Sequence, residues 1–253
     1  MNYYIKKILI FTFIVLQPFC YAYADKELTI VRGQDFPPYH YVDKNGVEQG
    51  FVIETVKGAA QLLDTKISYK QYPWSRCIYM MKNGQADAMI NLFKTEEREA
   101  FMHFSETVLG YETNSLFTLT ASDLLYSGDL ETLIPHKMGT IRNYSYGKQF
   151  DAAEFPLKYQ FDTEKDLING LINNRCSIIV GNRLTIQILY KKMRLENKIK
   201  PLSPDISKDP LYIGFSKKRD HEALSKSFSE KLKQFKVTTK YKSMMQKYSL
   251  TSP

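Results

Sequence analysis

Between Leu28 and Ile90, short apolar segments of strand character alternate with segments of helical period, and few folds accept that order. Leu28-Thr-Ile-Val31 is short and β-branched and reads as a strand. Phe36-Pro37-Pro38-Tyr39 is a loop, because two prolines are excluded from helix and strand interiors. Asn45-Gly46 marks a hairpin turn. Over 51–63 the apolar residues Val52, Val56, Ala59, Ala60 and Leu63 fall on one face of a helix. Residues 67–72 return as a strand, Pro73 opens a helix to about Lys82, and Ala88-Met-Ile90 is a strand again. Such alternation predicts βαβ units and a parallel sheet, an α/β fold.

One segment pattern occurs twice. In Met81-Lys-Asn-Gly-Gln-Ala-Asp-Ala-Met-Ile90 a helix stops at Asn-Gly and a buried strand follows. Leu171-Ile-Asn-Asn-Arg-Cys-Ser-Ile-Ile-Val180 has the same order, with Asn-Asn at the stop. Two copies fit two similar α/β lobes, although αβ junctions resemble one another in general. Residues 115–120 form a strand placed to cross between lobes. Lys137-Met-Gly-Thr-Ile141 begins a second sheet, and Leu211-Tyr-Ile-Gly-Phe215 is placed to return the chain. Leu224, Phe228, Leu232 and Phe235 then follow a helical spacing.

The N-terminus is set apart from the fold. Lys6 and Lys7 precede an apolar run from Ile8 to Leu16, and Ala22-Tyr23-Ala24 supplies a cleavage site. This is the layout of a secretory signal peptide at 1–24, and the run is shorter than the roughly 20 residues of a membrane span. Cleavage after Ala24 and a soluble periplasmic product are expected. Gln17 and Phe19 before Cys20 argue against a lipid-anchored cysteine.

The formal charge of +8 is scattered, as in Lys191-Lys192 and Lys217-Lys218-Arg219, and no nucleic-acid motif accompanies it. A solvated basic surface is expected, with no nucleic-acid partner. Cys77 and Cys176 are expected to be free, buried thiols, since a bridge between lobes would lock them together. There is no CxxC and no Cys/His cluster, so neither a metal nor another cofactor is expected.

Six short motifs in register resemble the family 3 extracellular solute-binding proteins, receptors for polar amino acids of bacterial ABC importers. Asp35-Phe-Pro-Pro-Tyr-His-Tyr41 resembles the family's ligand loop, and Gly50-Phe51 with Glu54 its first helix. Asn83-Gly84 with Asp87-Ala88 resembles a sheet-entry motif. Thr95-Glu-Glu-Arg98 and Phe104-Ser105 resemble the family's Thr-Pro-Glu-Arg and Phe-Ser pair, and 240–248 its closing helix. The resemblance implies the periplasmic binding protein type 2, or Venus-flytrap, architecture: two α/β lobes, joined by two crossover strands, closing on a ligand. Residues 25–117 and 212–253 would form one lobe and 118–211 the other. It also implies a monomer that meets a small-molecule ligand and a membrane permease and performs no chemistry.

The same resemblance assigns candidate site residues. Arg98 would fork onto a ligand carboxylate, which suits its planar donors; alternatively it is a surface residue paired with its neighbouring glutamates. Trp74 and Phe36 would line the cleft with Tyr39 nearby, or simply pack in the core. Arg76 faces the cleft or caps a surface turn. In Gly139-Thr-Ile-Arg-Asn-Tyr-Ser-Tyr146 the resemblance is to a strand followed by a helix start. Ser145 and the amides of Asn143 and Tyr144 would then complete a carboxylate cradle at the helix start, with Arg142 a further candidate beside them, or Ser145 is a plain cap. Asn91 stands near where small hydroxyl residues are usual. The expected ammonium-binding Asp after Ile178-Ile-Val180 is replaced by Gly181, followed by Asn182, and Val52 replaces another acid. A standard α-amino acid ligand is therefore open to question. The competing readings are a cyclohexadienyl-dehydratase-like enzyme, with Asp35 or Glu54 as its acid or base, and a ligand-sensing partner of a membrane receptor.

Overall fold

A computed structural model describes residues 27–248. The expected signal segment, Cys20 and the cleavage site after Ala24 lie outside the described residues.

The first half runs β1 (Leu28–Arg32), the hairpin β2 (Tyr41–Val42) and β3 (Glu48–Gln49), α1 (Phe51–Leu62), β4 (Ile67–Gln71), α2 (Trp74–Lys82), β5 (Ala88–Leu92), the one-turn α3 (Glu96–Glu99) and β6 (Met102–Phe104). The strand β7 (Gly110–Leu119) then leads to β8 (Met138–Ile141), α4 (Lys148–Ala152), β9 (Lys158–Phe161), α5 (Glu164–Ile172), β10 (Ile178–Asn182), α6 (Arg183–Lys192) and β11 (Ile199–Pro201). The long β12 (Ser207–Ser216) returns the chain to α7 (Glu222–Lys236) and α8 (Thr239–Lys247).

The strands lie in the order β4-β1-β5-β12-β7-β10-β8-β9. Three parallel strands at each end, β4-β1-β5 and β10-β8-β9, belong to separate lobes. The antiparallel pair β7 and β12 joins them. The two lobes have the same internal order, with β1, β4 and β5 answered by β8, β9 and β10. Both copies of the helix–turn–strand segment therefore occupy one topological place, α2 to β5 and α5 to β10. Their turns need a left-handed residue, supplied by Gly84 (φ 67°) and Asn174 (φ 56°), types that take this region at low cost.

Parallel sheets must be covered on both faces, and each lobe has two cores. In the first lobe, one core packs α1 and α7 on the sheet through Val52, Val56, Phe228 and Leu232, and the other packs α2 through Cys77 and Met81. The second lobe has Leu116, Phe150 and Val180 on one side and Phe117, Leu167 and Ile186 on the other. Each such side chain, fully buried, stabilises the fold by about 1.5–3 kcal/mol. Cys77 and Cys176 are both free and buried.

Two local features place the ligand loop. Gly50 enters α1 at φ 117°, where a Cβ would lie 2.4 Å from the Tyr39 carbonyl oxygen. The first α1 amides, Phe51 and Val52, consequently donate to the Pro38 and Tyr39 carbonyls at 2.9 Å each. Arg32, wholly buried, clamps the other side of the loop through a two-pronged pair with Glu48 at 2.8 and 2.9 Å.

The expected helix start after β8 is corrected. Residues 142–147 form a loop, with Asn143 left-handed (φ 61°), and α4 begins only at Lys148. Asp151 reaches back to accept from the Tyr146 amide at 2.9 Å and from the Ser145 hydroxyl, and these bonds tie the loop to α4. The amides of Asn143 and Tyr144 are therefore not helix-end donors.

Candidate ligand-binding site

The lobes meet around a cavity of about 20 Å³, room for little more than one water. Phe36 and His40 reach it from the loop after β1, Trp74 from the start of α2, Asn91 from β5 and Arg98 from α3. Glu112 comes from the crossover strand β7, and Tyr144 and Ser145 from the loop after β8. Four hydrogen bonds span the cleft. Trp74 Nε1 and Arg98 Nη2 both donate to the Asn143 carbonyl, at 2.9 and 3.1 Å. Asn143 Nδ2 donates to Ser75 Oγ at 3.0 Å, and Thr185 Oγ1 donates to the Pro37 carbonyl at 2.8 Å.

Arg98 is set by its short helix. Thr95 caps α3 by accepting from the Arg98 amide, and the side chain turns inward, only 6% exposed. Its second terminal nitrogen donates to the Phe93 carbonyl at 2.9 Å, and the guanidinium lies 5.6 Å from the Trp74 ring centre. Its hydrogen-bond partners are backbone carbonyls. The neighbouring Glu97 and Glu99 pair instead with Lys82 and Lys94, so the alternative in which Arg98 bridges to them on the surface does not hold.

Tyr144 fills the centre of the cleft. Its ring stands edge-on to Trp74 at 4.9 Å and packs against all four hydrophobic cores. Its hydroxyl donates to Glu164 Oε1 at 2.8 Å. Burial pushes Glu164 up to about 7, with the Tyr144 hydrogen bond pulling the other way. Burial also pushes Glu112 up to about 8; Glu164 and Asp209 add to this, against Asn182 and Arg98. His40 is driven down to about 3 by burial and by Arg32, so its ring is neutral.

The sequence profile of the bacterial extracellular solute-binding proteins, family 3, matches residues 28–251. The chain belongs to that family. This family 3 solute-binding protein is 21% identical over 233 residues to the probable histidine-binding protein of Neisseria gonorrhoeae, covering 90% of this chain and 84% of that protein. Among solved structures, a histidine kinase sensor domain with similarity to periplasmic binding proteins superposes with a TM-score of 0.78 at 19% identity, over 88% of this chain and 96% of that one. The substrate-binding protein of an amino acid ABC transporter gives 0.74 at 19% identity, over 88% and 99%. Both have the two-lobed fold described above.

In this solute-binding protein the expected site residues divide. Phe36, Trp74, Asn91, Arg98 and Ser145 line the central cavity, and Asn143 contributes its carbonyl rather than its amide. Tyr39 and Asn182 line a separate cavity of about 320 Å³ that is also walled by Gly110, Tyr111 and Thr113 of β7. Tyr39 donates to the Tyr111 carbonyl at 3.1 Å, and Asn182 caps α6 by accepting from the Thr185 amide at 2.9 Å. Arg76 and Arg142 lie outside. Arg76 is exposed and stacks 5.0 Å from Tyr79, one turn along α2. Arg142 is exposed because β8 ends before it, and it pairs with Asp162 at 3.2 Å.

Three further readings are corrected. A Cβ on Gly181 would meet Ile186 Cγ1 at 2.8 Å, so this position faces the lobe core. Strand alternation puts Asn182 on the opposite face of β10 from residue 181. Asp35 and Glu54, the acids an enzyme would use, are engaged elsewhere: Asp35 with Arg32 at 3.3 Å, Glu54 with Lys247 and Tyr248 at 2.5 and 2.6 Å. Two buried acids were missed: Glu112, which lines the central cavity, and Glu164, which accepts from the Tyr144 hydroxyl. Glu112 lies before the apolar stretch of β7 and Glu164 looks like an ordinary first-turn helix acid, so neither carries a local signal.

Proposed function

We propose that this protein is a periplasmic receptor that closes on a small polar ligand bearing a carboxylate, an amino acid or a related molecule, and delivers it unchanged to an ABC importer. Residues 25–117 and 212–253 move as one lobe against 118–211 about β7 and β12. The supporting observation is Arg98: a nearly buried guanidinium hydrogen-bonded to backbone carbonyls, opposite the other lobe. A buried cation whose hydrogen bonds go to neutral carbonyls is costly, and a ligand carboxylate relieves that cost by taking the place of the Asn143 carbonyl. The binding-protein relatives and the family membership support the receptor reading. Phe36, Trp74, Asn91 and Ser145 then form the walls around the ligand.

Native mass spectrometry of gently purified protein tests this by looking for a retained small carboxylate. Isothermal titration then measures its affinity, and purified protein that binds no carboxylate removes the reading. Turnover of prephenate or arogenate would establish the enzyme alternative. For export, the mature chain begins at Asp25 and fractionates with the periplasm; N-terminal sequencing that finds Met1 or a lipidated Cys20 overturns this. The likeness to a histidine kinase sensor domain favours a second reading, ligand sensing in trans. Normal ligand uptake with a lost transcriptional response in cells without the protein would select it.

A further inference from the structure

The cavity that Arg98 lines also holds buried polar atoms without hydrogen-bond partners. Asn91 is 6% exposed and its Oδ1 has no hydrogen-bond partner. Its backbone is left-handed (φ 62°), at a kink in β5. His40, 2% exposed, likewise leaves Nδ1 without a partner, its ring stacked on Phe36 at 5.7 Å. Glu112, 7% exposed, lines the same cavity. Buried acceptors are nearly always satisfied, so a wall of this kind is half of a site.

The electrostatics select the missing half. Glu112 is the cross-strand partner of Asp209, whose Oδ2 is also buried and unpartnered. Glu164 bears on it from α5 and the phenol of Tyr39 from the ligand loop. Against these acids, among the described residues, stand the amide of Asn182 on β10, whose Nδ2 is buried without a partner, and the charge of Arg98 on α3, which is hydrogen-bonded to carbonyls. An added positive charge with several N–H donors satisfies both the unpartnered oxygen and the excess of acid.

We propose that Glu112 and Asn91 form a subsite for a protonated nitrogen, the ammonium or amidinium of a ligand whose carboxylate goes to Arg98. This rests on the receptor reading above. The subsite lies on the crossover strand and β5, not after the second lobe's strand where an acid was sought and Gly181 was found. Tyr144 moves aside for the ligand, since the cavity as it stands holds no more than a water. Glu112, neutral in the empty protein at pH 7, ionises against the incoming cation, so binding releases a proton to solvent.

Isothermal titration against matched skeletons tests this: hexanoate with norleucine, 6-aminohexanoate and L-lysine, and imidazolepropionate with L-histidine. The best amine-bearing member is expected to bind at least tenfold more tightly than its amine-free acid. Titration at pH 7 in buffers of different ionisation enthalpy is expected to show close to one proton released. In Glu112→Gln the tenfold preference falls to within about threefold and the proton release disappears, while the amine-free acids bind as before. Asn91→Gly tolerates the left-handed backbone and removes the side-chain amide with its acceptor, and it lowers the preference part-way; it serves as the second variant if Glu112→Gln does not fold. Equal binding of amines and amine-free acids, or an unchanged preference in both variants, overturns the subsite and leaves the receptor standing. If neither set binds, the carboxylate-receptor reading falls with it.

Discussion

Trp74 and Asn143, from opposite lobes, are joined by a hydrogen bond of 2.9 Å from the indole nitrogen to the backbone carbonyl. Arg98 donates to that same oxygen at 3.1 Å. One carbonyl oxygen of the second lobe thus accepts from both an indole and a guanidinium of the first. In the proposed receptor reading, a ligand carboxylate takes the place of this oxygen and competes with Asn143.

If the carboxylate takes this place, Arg98→Lys weakens binding nearly as much as Arg98→Ala, because a point charge cannot reproduce a planar fork. Losing a buried charged partner costs about 2–5 kcal/mol, roughly a 30-fold to several-thousand-fold rise in dissociation constant. Calorimetry that gives unchanged affinity in either variant removes Arg98 from the site.

Tyr144 touches all four cores and is bonded to Glu164, so it helps hold the two lobes together. Tyr144→Ala deletes this packing and leaves Glu164 without its donor. Small-angle X-ray scattering of the ligand-free variant is expected to show a larger radius of gyration than wild type, as the lobes part. Identical scattering curves would mean that the remaining cross-cleft hydrogen bonds suffice.

Glu112 makes stability fall with rising pH. Its folded value, raised by burial to about 8, exceeds the ordinary carboxylate value, so the native state binds the extra proton. The contribution is complete below about pH 4.5 and is lost as pH climbs toward 8, a change of a few kcal/mol. Glu112→Gln abolishes this loss, so its melting temperature relative to wild type rises between pH 5 and pH 8. A constant difference across that range contradicts the burial of an ionisable Glu112.

Gly181→Asp does not restore an amino-acid site. The new Cβ would press on Ile186 within the second lobe and the carboxylate would be buried without a partner. The expected outcome is destabilisation of about 3 kcal/mol or more, seen as a large drop in melting temperature with no gain in amino-acid binding. A stable variant with improved affinity would show that residue 181 faces the ligand after all.

The linear chain determined the class of fold and the order of its parts. Periods of two and 3.6, proline and glycine punctuation and the repeated helix–turn–strand segment are local properties, and backbone sterics and one-sided burial act over a few residues. Arg98, Trp74, Phe36 and Asn91 were also legible, because each sits in a short motif whose neighbours set its direction: Thr95 caps Arg98, and Pro73 starts the helix at Trp74. What faces the ligand from the second lobe was decided only in three dimensions. A one-residue step along β10 changes the face, which is why Gly181 packs on Ile186 and Asn182 does not. Asn143 turns left-handed and carries Tyr144 into the cavity, and Glu112 reaches it along a strand that passes from lobe to lobe. Arg76 and Arg142 looked equivalent to the true wall residues and point to solvent. Those outcomes depend on how two separately folded lobes abut across some seventy residues of intervening chain, a relation that no local spacing encodes.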